Sequence, residues 1–255
     1  MLIFMRLVRI SHAEPMGYGC DLSIALRTRH CRGEVLDRHR HEDSFAAIVL
    51  SGAYIEAGDT GRHRVGPADV VFHSPFESHL DRFETSRAEV LNLPLPAGWN
   101  GPVLGTIADP DAIVRIAERD VGEAVAALVA GVIERAPEPE DWPDLLAAEL
   151  LHDPQVNLAQ WSDRMRLHPG SLSRGFRQQF KVSPAEFRSI ARARKAMRHL
   201  AELPLSELAF RSGFADQAHM SRAIKSLTGF SPGRLREYLA ANDRTADLTW
   251  QSASA

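Results

Sequence analysis

Hydrophobic and polar residues alternate with a period of two along the first part of the chain. LSIALRTR (Leu22–Arg29), FAAIVLSGAYIEA (Phe45–Ala57) and ADVVFH (Ala68–His73) carry this pattern. Successive side chains of a strand point to opposite faces, so each stretch reads as a strand with a buried face. GDTG (Gly58–Gly61), VGP (Val65–Pro67) and PFES (Pro75–Ser78) separate them with residues that favour turns. The region from Leu2 to Leu95 therefore predicts an antiparallel sandwich or small barrel.

The period then changes. Ile113, Ile116, Ala117, Val121, Ala124, Val125, Leu128, Val132 and Ile133 recur at helical spacing. This predicts one or two amphipathic helices over residues 111–136, with a face that packs on the barrel or on a second copy of the chain. APEPEDWP (Ala136–Pro143) holds three prolines and three acids, a composition that resists helix and strand and marks a linker at 137–143. Beyond it, Asp144–His152, Leu158–Arg166, Pro169–Phe180, Pro184–Ala201, Ser206–Arg211, Gln217–Leu227 and Pro232–Ala240 all read as helices. The expected fold class is α+β. An antiparallel β-barrel occupies residues 1–110, helices connect it through 111–136, an all-α domain spans 144–240, and a frayed tail follows from 241.

Length and composition agree with two domains, since 255 residues with 44% hydrophobic content can bury a core in each. MLIFMRLVRI at the start is apolar, but Arg6 and Arg9 interrupt it before a signal-peptide core or a membrane span forms. The expectation is a cytoplasmic protein with no membrane partner. Cys20 and Cys31 are the only cysteines, too few for a disulfide framework and without zinc-knuckle spacing, so both read as plain thiols. The net charge of -3 conceals an asymmetry: residues 155–240 hold 15 Lys and Arg against 6 Asp and Glu. A basic C-terminal part joined to an acidic N-terminal part points to a polyanion partner for the former alone.

Two pieces of the basic region share one plan, a short helix, a tight turn and a second helix. They are NLAQWSDRMRLHPGSLSRGFRQQF (Asn157–Phe180) and LSELAFRSGFADQAHMSRAIKSLTGF (Leu205–Phe230), a duplicated helix-turn-helix. In the first, Leu172 and Phe176 lie four apart and face the core, which leaves Gly170, Ser171, Ser173, Arg174 and Arg177 outward. In the second, Met220, Ile224 and Leu227 form the buried stripe, which leaves Gln217, Ala218, Ser221, Arg222 and Lys225 outward. These outward sets suit a DNA groove: Arg can bond a guanine edge through two parallel hydrogen bonds, Gln an adenine edge, and Ser and Lys phosphates. Gly170 and Ala218 allow close approach. Between the units, Ser183–Ala201 buries Phe187, Ile190, Met197 and Leu200 and spans roughly 25 Å at ~1.5 Å per residue. Such a helix can hold two recognition helices in successive major grooves.

GFADQAHMSRAIKSLTGFSPGRLR (Gly213–Arg236) closely resembles the signature of the AraC/XylS family of transcription regulators, whose pattern runs Gly-Phe, Asp-Gln, His, Ser-Arg, Lys, Gly and Ser-Pro at this spacing. The first unit and the connecting helix match too, so the resemblance covers Asp144–Ala240. Met220 and Ile224 stand where the family often has Phe, and both remain apolar. The resemblance implies double-stranded DNA, RNA polymerase and a second copy of the chain as partners, with dimerisation through the helices near Asp111–Ala136. It also implies a small effector in the barrel that changes how the DNA-binding domain is presented.

In the N-terminal part, GEVLDRHRHEDSFAAIVLSG (Gly33–Gly52) places His39 and His41 two apart, on one face of a strand, and VGPADVVFHSPFESH (Val65–His79) ends on His79. The arrangement resembles the cupin motifs. A metal-binding cupin usually supplies a glutamate four or five residues after its second His, where this chain has Phe45 and Ala46, and Glu77 replaces a turn glycine. Three imidazoles can hold zinc or iron with an open position, and a sensor needs only a pocket with a few placed polar groups. His39, His41 and His79 are thus candidates for effector or metal contact. The alternative is that Asp37–Asp43 is a charged, solvated turn and His79 a strand-edge residue.

No catalytic set stands out. Asp37, Glu42 and Asp43 read as a mixed-charge loop beside Arg38 and Arg40, and Ser171 and Ser173 near His168 sit on a helix already explained. The resulting expectation is a DNA-binding regulator controlled by a small effector, not an enzyme. Its rivals are a metal-dependent cupin enzyme with an appended helical domain and a constitutive DNA-binding protein whose barrel only dimerises.

Overall fold

In a computed structural model of the chain, residues 26–241 are described, apart from positions 86, 97, 98 and 100. The expectations for the first residues, for Cys20 and for the tail lie outside them. The strands are β1 (Leu26–Cys31), β2 (Val35–Arg40), β3 (Phe45–Ser51), β4 (Tyr54–Gly58), β5 (Gly61–Val65), β6 (Asp69–His73), β7 (Ser78–Phe83), β8 (Arg87–Pro94), β9 (Leu104–Thr106) and β10 (Ile133–Glu134). They form two antiparallel sheets, ordered β1-β8-β3-β6-β9-β10 and β2-β7-β4-β5.

Both faces of the larger sheet's central strands are buried, which explains why Phe45–Leu50 reads as a nearly continuous apolar run. Ala47, Val49, Val71 and Val90 point inward and meet Tyr54, Val65 and Phe83 of the smaller sheet. Ala46, Ile48, Val70, Phe72, Leu91 and Leu93 point outward and pack under two helices, α1 (Pro110–Ala117) and α2 (Val121–Gly131), through Ile113, Ala124, Val125 and Leu128. Asp109 and Asp120 cap these helices by accepting from Ala112 N and Glu123 N, which satisfies amides that have no partner inside the helix.

The helical expectation for 111–136 stops short. Val132 is extended, and Ile133 and Glu134 pair with Thr106 and Gly105 on β9. The backbone groups at that edge give β-branched Val132 and Ile133 a ladder in place of a further helical turn. The stripe of 113–132 is spent on the barrel, while Ile133 is 65% exposed.

The remaining helices are α3 (Trp142–His152), α4 (Leu158–Arg164), α5 (Pro169–Phe180), α6 (Pro184–Arg198), α7 (Leu205–Arg211), α8 (Gln217–Thr228) and α9 (232–241). Helix α3 begins two residues before the expected start, because Pro143 in a first turn forfeits no internal hydrogen bond. Two apolar clusters hold this part together. The first joins Leu146, Leu150, Trp161, Leu172, Phe176, Phe180 and Phe187, and it includes Ala57 and Leu80 of the smaller sheet. The second joins Leu200, Leu208, Phe214, Met220, Ile224 and Leu235, and it includes Phe76 from the turn before β7. The four-stranded sheet therefore sits directly on the helical half.

Candidate nucleic-acid interface and histidine cluster

The two helix-turn-helix units repeat each other in backbone detail. Leu167 N donates to Ser162 O and Phe214 N to Ala209 O, each at 2.9 Å. The residue just before each donor is left-handed, Arg166 at φ 54° and Gly213 at φ 78°. Glycine reaches that conformation without cost, whereas arginine does not. The second helices start on side-chain caps: His168 accepts from Gly170 N at 3.1 Å and Asp216 from His219 N at 2.7 Å. Ser183 and Glu186 form a reciprocal capping box at the start of α6.

Burial follows the expected stripes. Leu172, Phe176 and Phe180 of α5 and Met220, Ile224 and Leu227 of α8 are buried. Arg174, Arg177, Gln217, Ala218, Arg222 and Lys225 are exposed, and Gly170, Ser171, Ser173 and Ser221 are half-buried at the same surfaces. On α6, Phe187 and Leu200 are buried, while Ile190 and Met197 are half-buried against the second cluster. Gly175 has a role that the helical pattern did not reveal: a Cβ there would lie 2.5 Å from the indole of Trp142, so α3 can pack close on α5.

A family model described as a helix-turn-helix domain matches residues 161–238. The arabinose operon regulatory proteins of Salmonella typhimurium and Escherichia coli are each 33% identical over 88 residues, 34% of this chain and 31% and 30% of theirs. Residues 161–238 thus carry a helix-turn-helix domain, in the part of the chain that is similar to the arabinose operon regulators. The aligned part spans about a third of the length of those curated relatives. Among solved structures, the C-terminal domain of AraT, a response regulator from Geobacillus stearothermophilus, is 26% identical. That match covers 38% of this chain and 84% of that one, at a TM-score of 0.35. ToxT from Vibrio cholerae is 12% identical over 86% of this chain and 97% of that one, at a TM-score of 0.38. No helix among the described residues is long and apolar enough to cross a membrane.

Between the sheets, the chain gathers His39, His41, His73 and His79. A bulge in β2 between Leu36 and His39 shifts the register against β7, so that His39 lies directly opposite His79. Leu36 packs into the inter-sheet cluster, and without the extra residue the alternation would send His39 and His41 to the other face. With it, the ring centroids lie 4.8 Å apart for His39 and His41, 4.5 Å for His39 and His79, and 5.2 Å for His41 and His79. A solvated turn does not describe this segment: His79 is 4% exposed, and His39 and His41 are half-buried.

Pattern reading missed the neighbours. His73 and Glu77 are both buried, with His73 Nδ1 at 3.1 Å from His79 Nδ1 and at 3.5 Å from Glu77. Glu56 lies 3.5 Å from the other ring nitrogen of His73. The spacing of His73, Glu77 and His79 around the Pro75 turn was the available signal, because a short turn brings its two flanking strands together. Burial, with the charges of His39 and His73, pushes the His41 imidazole down to about 3. Burial first, then those neighbours, takes His79 well below its ordinary value. Burial and the nearby Asp81 and Glu77 push Glu56 well above the carboxylate range.

The cluster also meets the chemical demands of a divalent ion. His39, His41 and His79 each bring a donor atom within 4.8 Å of the others, as do Glu56, His73 and His79. Neutral imidazole is the ligating form, and one Glu56 oxygen is buried without a hydrogen-bond partner, an arrangement that a cation would relieve. Cys31 is an exposed free thiol.

The cluster continues into the helical half. Glu77 accepts from Arg194 of α6 at 3.1 Å and from Thr60 at 3.1 Å. Asp59, also buried, pairs with Arg38 and lies 3.8 Å from Arg194. Arg62 of β5 makes a bidentate pair with Asp144 of α3 at 2.8 and 2.9 Å and reaches Asp141 at 2.7 Å. Phe76, left-handed at φ 60°, places its ring among Phe230 and Tyr238 at 6.1 and 5.9 Å.

Proposed function

We propose that this protein is a sequence-specific DNA-binding transcription regulator whose N-terminal barrel takes a small effector. The observation that carries the reading is the duplicated unit itself, two second helices that leave Arg174, Arg177, Gln217, Arg222 and Lys225 exposed over buried apolar stripes. Arg174 and Arg222 read base edges, while Ser171, Ser173, Ser221, Arg177 and Lys225 hold phosphates and Gly170 and Ala218 permit close approach. Residues 144–240 are the DNA-binding part and residues 1–110 the sensor. The chain works in the cytoplasm, on double-stranded DNA and alongside RNA polymerase, as a dimer through the 111–136 segment, and it is not an enzyme.

His39, His41 and His79 face the effector. Zinc or iron held there, with Glu56 and His73 behind, would supply a Lewis-acidic centre for an effector's oxygen or nitrogen donor. The chain's own residues do the rest: Glu77 holds Arg194, so a change around His73 reaches α6. Selecting bound sites from genomic fragments, with and without candidate metabolites, tests the reading. Enrichment of one sequence class that shifts with a metabolite is expected, and indifference to sequence overturns it.

A further inference from the structure

Strand β2 touches both DNA-reading helices at once. Arg38 donates to the carbonyl of Phe180 in the last turn of α5 at 3.2 Å, and Arg40 donates to the carbonyl of Leu227 in the last turn of α8. The contacts cross 142 and 187 residues of sequence. The last carbonyls of a helix have no partner within it and carry the negative end of its dipole, so a guanidinium is a favourable cap from outside. Arg38 is braced in turn by Asp59, whose other oxygen accepts from Ser78 N at 3.0 Å.

The same bulge that turns His39 and His41 inward turns Arg38 and Arg40 outward, because the side chains of a strand alternate. One short segment thus presents imidazoles to the barrel interior and arginines to the two helices, residue by residue. A displacement of β2 on its inner face cannot leave its outer face in place.

We infer that Arg38 and Arg40 are positioning residues that hold the C-terminal ends of α5 and α8 to one strand. They thereby set the separation and angle of the two DNA-reading faces, and they deliver a ligand's effect on His39 and His41 to both helices together. The consequence for DNA rests on the proposed function above; the clamp itself does not.

The test uses the full chain with Arg40→Ala, Arg40→Lys and Arg38→Ala. Arg40 is the decisive position, since Arg38 also neutralises buried Asp59 and its loss can act on folding. Amide hydrogen exchange in the last turns of α5 and α8 reads the clamp without DNA. Arg40→Ala should speed exchange at the end of α8 at least about tenfold, leaving the end of α5 near wild type, and Arg40→Lys should restore part of the protection. Unchanged exchange in α8 overturns the clamp. The second readout is affinity for the selected site against versions with one base pair added or removed between its halves. Wild type should discriminate among the spacings and Arg40→Ala should lose most of that discrimination. Altered exchange with intact discrimination overturns the positioning role. A wild-type protein that selects no site refutes the regulator reading instead, and exchange still decides the clamp.

Discussion

The guanidinium of Arg194 lies 3.1 Å from the carboxylate of Glu77, joining the helix between the two helix-turn-helix units to the turn beneath the histidine cluster. Glu77 is fully buried. Burial alone would raise its carboxyl, but Arg194 and then the His73 bond overcome this and hold it at about 2. Removing one partner leaves a buried charge unmatched, so Arg194→Ala should cost about 3–5 kcal/mol in urea unfolding. Arg194→Met combined with Glu77→Gln should recover much of that loss, and strictly additive costs would show that the pair is not coupled.

On the proposed function, base reading should divide between the units. Arg174→Ala and Arg222→Ala should each weaken the preferred site by about 1–3 kcal/mol and relax preference in one half of it. The check is a binding titration over single-base variants of the site. Even weakening across all variants would assign both side chains to phosphate.

Affinity should fall steeply with salt, because neutralising phosphates releases counterions. With roughly six to ten phosphates engaged per protomer, the log-log slope should be roughly -5 to -9. A nearly flat salt titration at the selected site would contradict the proposed interface.

The histidine cluster should answer to ligand more than to folding. His41→Ala in the full-length protein is expected to keep DNA binding while losing effector response, and to lower metal content on purification if an ion is held. Elemental analysis and binding assays with and without effector report both. A wild-type response with unchanged metal content would move the ligand site elsewhere in the barrel.

Metal-free protein should lose stability in acid earlier than carboxylates alone would dictate. Burial lowers His41 to about 3 and His63 to about 4 from an ordinary 6.5. Below pH 6.5 the unfolded chain therefore binds protons at these imidazoles that the folded chain refuses, and stability falls as pH drops toward 4. Asp81 acts in the opposite sense. Burial raises it from 3.8 to about 7, so its contribution is full below 3.8 and is lost as pH rises through 7. Burial lowers His39 and His79 too and raises Glu56 and Asp59, so four imidazoles outweigh three carboxyls, and the urea midpoint should be lower at pH 5 than at pH 6.5. An equal or higher midpoint at pH 5 would show that the rings protonate in place.

The helical half was largely legible in advance because its information is local. A helix repeats every 3.6 residues, so the stripes Leu172–Phe176 and Met220–Ile224–Leu227 could be read directly, and the duplicated Ser-Arg pattern declared the repeat. Strand positions were legible in part for the same reason, although the Phe45–Ala57 stretch turns at Gly52 into two strands, β3 and β4. Tertiary structure decided what pairs with what. It returned Ile133–Glu134 to β9, where the helical period had suggested further helix. It added His73, Glu77 and Glu56 to the histidines; the Pro75 turn signals the first two in sequence, but nothing beside Glu56 signals its convergence. Above all it placed a bulge between Leu36 and His39. A period-two pattern cannot show a one-residue insertion relative to a partner strand, because register exists only between strands. That single residue turns His39 and His41 inward and Arg38 and Arg40 toward α5 and α8. Periodicity along the chain thus determined the elements, and pairing across it decided which chemistry each face presents.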